Sequence, residues 1–155
     1  MVITLDSSIM WWTKRKESKE NKELCETLGQ YSFDELSAMV RQLNDDFYLR
    51  YYAENPGAGM SYVPPGIVRT CISYLKENSK KVNKIINKHH NDIATMVYSL
   101  GLVVGNQLIQ TGTVNSMTAV YTLLMYLAKV GLDKVLSGSK ESSDDTSDEE
   151  KGNAK

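Results

Sequence analysis

A stretch of 36 residues between Asp92 and Lys129 contains no Asp, Glu, Lys or Arg, although 24% of the whole chain is charged. Crossing a membrane takes about 20 mostly apolar residues. The apolar runs in this stretch, residues 93–105 and 117–128, have only 13 and 12 residues before polar side chains intervene. Membrane insertion is therefore disfavoured. We expect instead a central antiparallel pair of helices, hydrophobic nearly all round and wrapped by amphipathic helices.

Two glycines support a tightly packed hairpin. Gly101 and Gly105 lie four residues apart in the first apolar run, which places them one above the other on the same helix face. Because glycine has no side chain, this spacing permits a neighbouring helix to approach closely.

The other helices are predicted by apolar residues that recur every three or four positions. Residues 32–54 show this pattern, and Ser32 with Glu35 forms a capping-box sequence at their start. A second apolar stripe predicts a helix over residues 65–90, with a break near residues 90–92, which could also cap the next helix. A last helix is predicted after the turn at residues 111–116, with Asn115 or Ser116 as its cap and Leu132 or Val135 still on its inner side. No window alternates as a strand would. The fold class is therefore all-α: a helical bundle of four to six helices with a central apolar helical hairpin, forming one domain over residues 1–136.

A buried helical hairpin among amphipathic helices resembles the plan of Bcl-2-like proteins, and the chain length suits that family. The family's Asn-Trp-Gly-Arg signature is absent, and the nearest position reads Asn91-Asp92-Ile93-Ala94. The resemblance thus implies an architecture, and it does not carry a function.

Residues 137–155 form an acidic C-terminal segment, in which three lysines stand against six acidic residues. The segment has almost no apolar side chain, so burial cannot offset its ordering entropy and we expect a disordered acidic tail. Three hydroxyl residues have an acid three positions downstream and are phosphorylation candidates: Ser142, Thr146 and Ser147. Such a tail is typical of proteins of eukaryotic cells or their viruses.

The N-terminal sequence lacks the basic-then-apolar order of a secretory signal, and the chain has no Asn-X-Ser/Thr acceptor. We expect an intracellular protein, cytoplasmic or nuclear and not secreted. In a reducing compartment Cys25 and Cys71 are expected to be free thiols, although a single disulfide between them is the alternative.

The helix predicted over residues 65–90 has a basic face. At 100° per residue, its cations lie opposite the apolar stripe through Leu75, Val82 and Ile86. The basic face comprises Arg69, Lys76, Lys80, Lys81, Lys84 and Lys88. Such a face could bind a polyanion, above all the backbone of double-stranded RNA or DNA. The alternative is an ordinary solvated helix surface.

Aromatic residues supply candidates for a protein interface, since Trp, Tyr and Arg are enriched where proteins bind each other. The interface candidates are Trp11, Trp12, Tyr48, Tyr52 and Arg50.

Nothing in the chain predicts catalysis. The only histidines, His89 and His90, are adjacent and point about 100° apart on a helix. A zinc site formed by these histidines with Cys25 and Cys71 has no recognised ligand spacing. We therefore predict no catalytic residue, no metal and no cofactor.

The function predicted from these features is that of a non-enzymatic helical protein–protein interaction module, an adaptor or regulator that uses an apolar groove between amphipathic helices. The alternative is polyanion binding through the basic face. A protein is the expected partner, nucleic acid is the alternative partner, and a homodimer would double the charged surface.

Overall fold

The computed structural model describes residues 17–57 and 63–141, and within these ranges it contains helices and no strand. The all-α class is confirmed. The described residues form seven helices: α1 (17–28), α2 (Phe33–Glu54), α3 (Ile67–Glu77), α4 (Ser79–His89), α5 (Ile93–Gln110), α6 (Met117–Val130) and α7 (Leu132–Glu141). The expected number of four to six was too low, because two predicted helices are interrupted.

The predicted helix over residues 65–90 begins at Ile67 and breaks at Asn78. The Asn78 side chain donates to the carbonyl oxygen of Tyr74 at 2.9 Å, and its backbone φ of −111° departs from the helical value. Asparagine competes for backbone hydrogen bonds in this way, which explains its poor helix propensity. The break divides the predicted basic face between α3 and α4.

The second interruption lies at Gly131, which separates α6 from α7. Its φ of 112° belongs to the region that favours glycine. The chain then resumes as α7, which continues to Glu141. Residues 137–141, expected to begin the disordered tail, are therefore helical, while residues 142–155 lie outside the described part of the chain.

Side chains that were expected to cap helices do so. Ser32 accepts from the Glu35 amide while Glu35 accepts from the Ser32 amide, so the predicted capping box is confirmed. Ser116 caps α6 through the Ala119 amide at 3.2 Å. At the start of α5, Asp92 accepts hydrogen bonds from the hydroxyl and from the backbone amide of Thr95. These two bonds, mainly the one from the hydroxyl, lower the pKa of Asp92.

The helical hairpin is present and consists of α5 and α6, which make the most extensive helix–helix contact described. A Cβ atom placed on Gly101 would lie 2.5 Å from the Tyr121 ring. One turn later, a Cβ on Gly105 would lie 3.0 Å from the end of Met117. The two glycines thus bring the antiparallel helices close together, as their spacing predicted.

The two helices of the hairpin are buried to different extents. The α6 residues Ala119 to Met125 are all buried, and α2 and α7 pack against this helix. Helices α3 and α4 pack on α5, yet Leu102 in α5 is 64% exposed. Amphipathic helices therefore pack on both helices of the hairpin as expected, but the cover over α5 is incomplete at Leu102.

By length and composition, α5 is the one described helix that could cross a membrane, with 18 residues at a mean hydropathy of 1.3. It is longer than the 13-residue apolar run because it continues through polar residues to Gln110. Seven of its residues are buried in the bundle. Core helices of soluble proteins meet the same criterion.

Replacing Gly101 by alanine should lower the free energy of unfolding by about 1–3 kcal/mol, because the buried Tyr121 ring cannot move away without repacking. Gly105→Ala should cost less, since the flexible end of Met117 can shift and alanine gains about 1 kcal/mol of helix propensity. Gly57→Ala is the control, because no atom lies within 4 Å of its added Cβ. Urea unfolding measures all three, and wild-type stability in Gly101→Ala would contradict the proposed packing.

Candidate functional site

A groove of about 610 Å³ lies between α2 and α3. Ser37, Val40, Arg41 and Asn44 line it from α2; they are spaced at i, i+3, i+4 and i+7 and so share one helix face. From the other side the lining is Gly66, Val68, Arg69 and Ile72, and Tyr126 of α6 completes it. We call this the α2–α3 groove.

The middle of the α2–α3 groove is apolar. Val40 is buried, whereas Val68, Ile72 and Tyr126 are partly buried and pack against the core with one side only. The Tyr126 ring is held by stacking on Phe33, with 5.5 Å between the ring centroids. The bundle therefore leaves apolar surface uncovered in this groove.

Both arginines of the α2–α3 groove are exposed and unpaired. Neither Arg41 nor Arg69 forms an ion pair or a side-chain hydrogen bond with any residue of the described chain. The lining contains no carboxylate. The groove therefore combines an apolar middle with two free guanidinium groups.

Asn44 fixes the position of α3 relative to α2. Gly66 precedes α3 and has no side chain to cap it, so the Asn44 Oδ1 atom accepts from the Ile67 amide at 3.0 Å instead. A Cβ on Gly66 would lie 2.9 Å from that oxygen, which explains the need for glycine. Nearby, the Tyr48 hydroxyl donates to the carbonyl oxygen of Pro64 at 2.7 Å.

Two predicted interface residues extend this surface along α2. Tyr48 and Tyr52 stack with ring centroids 6.2 Å apart, and together with Asp45 and Leu49 they line a shallow depression. Leu49 is 71% exposed. Aromatic side chains beside an exposed leucine form a surface typical of protein contacts.

Arg50, the third predicted interface residue on α2, has an internal partner. Its guanidinium donates to the carbonyl oxygens of Gly112 and Thr113, at 3.2 and 3.5 Å. Arg50 thereby ties α2 to the turn between α5 and α6.

The remaining interface candidates, Trp11 and Trp12, lie outside the described residues, as do Ser142, Thr146 and Ser147.

The predicted basic face is divided into three places. Arg69 lies in the α2–α3 groove, Lys76 lies near the end of α3, and Lys81 lies with Lys80 beside the break at Asn78. Lys80, Lys84 and Lys88 remain in register on α4 and are exposed, whereas Val82 and Ile86 on the same helix are buried. We call these three the α4 lysines. No ion pair or side-chain hydrogen bond engages them within the described chain.

The cysteines and histidines do not form a site. Cys25 and Cys71 are free and buried, and burial raises the pKa of each thiol to about 12, with Glu26 contributing at Cys25. In the part of the chain that the structure describes, no group of three or more His, Cys, Asp or Glu could hold a metal ion. The structure thus does not assemble the cysteines with His89 and His90.

Sequence reasoning missed Arg41. Val40, Val68 and Ile72 fit the apolar stripes of their helices and so predict core positions. The stripes do not show that Val68 and Ile72 are only partly covered by the bundle. Arg41 follows Val40 directly, and only the position of α3 reveals that it faces Arg69 across a groove.

The buried thiols should make the protein less stable at alkaline pH. Each thiol titrates near 9 when exposed and near 12 when folded, so the stability that its protonated form contributes is present below pH 9 and is lost as the pH rises towards 12. The free energy of unfolding should fall more steeply between pH 8 and pH 10.5 in the wild type than in Cys25→Ala/Cys71→Ala. Urea unfolding at both values measures this, and equal slopes would contradict it.

Searches of protein-family models, curated proteins and solved structures find no match to this chain. The functional inference therefore starts from the geometry of the α2–α3 groove and the α4 lysines.

Proposed function

We propose that this chain is a non-enzymatic protein–protein interaction module, an adaptor or regulator, that binds its partner in the α2–α3 groove. The observation that carries the proposal is the apolar middle of the groove, where Val68, Ile72 and Tyr126 leave surface uncovered. Covering apolar surface stabilises a complex by about 25 cal/mol per Å² before the costs of association.

The surface next to the groove supports the same function. Tyr48 lies beside it, since its hydroxyl would be 3.7 Å from a Cβ on Gly66, and Tyr52 and Leu49 continue along α2. Tyrosine supplies large contact area at a low cost in side-chain entropy. A partner seated in the groove can therefore extend its contact onto this aromatic surface.

The groove also has the rigidity that a binding surface needs. Asn44 and Tyr48 tie α2 to the segment that starts α3, and Arg50 ties α2 to the turn of the hairpin. Both sides of the groove are therefore held before a partner arrives, which lowers the ordering cost of binding.

Val68→Glu should weaken partner binding, because it places a charge among the apolar side chains of the groove. A photo-crosslinking amino acid at position 72 identifies the partner, and titration of the purified partner then measures affinity. We expect at least about a tenfold loss for Val68→Glu, equivalent to about 1.4 kcal/mol. Val63→Glu is the matched control, since Val63 is 67% exposed and lies outside the groove.

Circular dichroism and urea unfolding confirm that both variants fold. Equal affinities of folded Val68→Glu and Val63→Glu would show that the partner binds elsewhere.

A second candidate function, polyanion binding, is favoured by the α4 lysines alone. These three cations are exposed and unpaired, and at 1.5 Å per residue the row is about 12 Å long. If each neutralises one phosphate, affinity for duplex RNA should fall about 40-fold between 50 and 200 mM salt.

The variant Lys80→Glu/Lys84→Glu/Lys88→Glu should lose duplex RNA binding and its salt dependence. The same charge change at the exposed residues Lys19, Lys22 and Lys134 is the control, because it alters net charge equally but leaves the α4 lysines intact. Fluorescence anisotropy at both salt concentrations measures binding. Equal loss in both triple variants would indicate a response to net charge and not to this row.

A further inference from the structure

We infer that the α2–α3 groove binds an acidic amphipathic helix of another protein, a helix with a short apolar stripe that is flanked on both sides by carboxylates. This inference rests on the proposed function and specifies the chemistry of the partner.

The arginines determine the charge of the partner. Arg41 lies on α2 and Arg69 on α3, so each side of the groove carries one guanidinium group. Both groups are exposed and unpaired within the described residues, and the lining holds no acid. Guanidinium groups bind carboxylates through two parallel hydrogen bonds, which are stronger than hydrogen bonds between neutral groups. The complementary partner therefore carries carboxylates.

The other polar groups of the lining agree with this charge. The Asn44 Oδ1 atom is occupied by the Ile67 amide, which leaves the amide group of this side chain as a donor. Ser37 adds a hydroxyl that no side-chain or backbone group of the described chain engages. The groove thus offers mainly donors, and acceptors on the partner satisfy them.

The dimensions suit a helix. The lining on α2 extends from Ser37 to Asn44, which is about 10 Å along the helix axis. Apolar anchors at i, i+4 and i+7 of a partner helix span the same length. An apolar stripe of two turns can therefore contact Val40, Val68 and Ile72, while residues on either side of it reach the two arginines.

The chain's own acidic tail lacks the required apolar component. Residues 142–155 contain five acidic residues and the three phosphorylation candidates, but no apolar side chain except Ala154. The tail can offer charge to the arginines, but it has nothing to place against the apolar middle of the groove.

Two designed peptides of about 18 residues, long enough to be helical, test the inference. They share leucines at i, i+4 and i+7 and differ only in the flanking residues, which are glutamates in one and lysines in the other. We expect the full-length chain to bind the glutamate peptide at least about tenfold more tightly, a preference of about 1.4 kcal/mol. Fluorescence anisotropy at low salt measures both affinities.

The variant Arg41→Gln/Arg69→Gln should reduce this preference to less than about threefold, which corresponds to about 0.65 kcal/mol. Lys19→Gln/Lys22→Gln is the charge-matched control and should retain the full preference, because these two lysines belong neither to the groove nor to the α4 lysines. All four positions are exposed, so both double variants should unfold at the wild-type urea concentration.

Equal affinity for the two peptides, or equal loss of preference in the two double variants, would overturn the acidic helix as partner. The proposed function would still stand if Val68→Glu weakens binding of the crosslinked partner, and it fails if Val68→Glu does not. If sedimentation equilibrium shows a dimer that Val68→Glu dissociates, a second copy occupies the groove and the inference is wrong.

Discussion

The contact between Tyr121 and Gly101 is the constraint on which the rest of the structure depends. It sets the separation of α5 and α6, and α2, α3, α4 and α7 all pack on one or other of these two helices. The Tyr121 hydroxyl is buried without a hydrogen-bond partner in the described chain, which costs about 1–3 kcal/mol. Burial also raises the pKa of this hydroxyl to about 12. The ring is fully buried, and its packing offsets these penalties.

The α2–α3 groove lies where two hydrogen bonds join α2 to the start of α3. Asn44 binds the first amide of α3, and Tyr48 binds the carbonyl oxygen of Pro64 just before it. Val68, Arg69 and Ile72 of α3 line the groove opposite α2. Helix α3 ends at the break at Asn78, where α4 begins.

The local elements were predictable where a few neighbouring residues decide them. The capping box of Ser32 and Glu35, the cap at Ser116 and the glycine pair in α5 each act within one or two turns, and each is observed. The interruption at Asn78 was not predicted, because the apolar stripe continues in sequence across it. Periodicity indicates which side of a helix is apolar, but it does not indicate where the helix is interrupted.

The sequence alone determined the all-α class, the apolar hairpin and the opposition of cations and apolar residues on α4, because composition and helical periodicity are properties of consecutive residues. Only the tertiary structure decided that α6 lies at the centre while α5 keeps Leu102 exposed. It also decided that Arg69 separates from the lysines and lies across a groove from Arg41. These relations join residues far apart in the chain. They follow from how helix axes pack, and no local pattern encodes that packing.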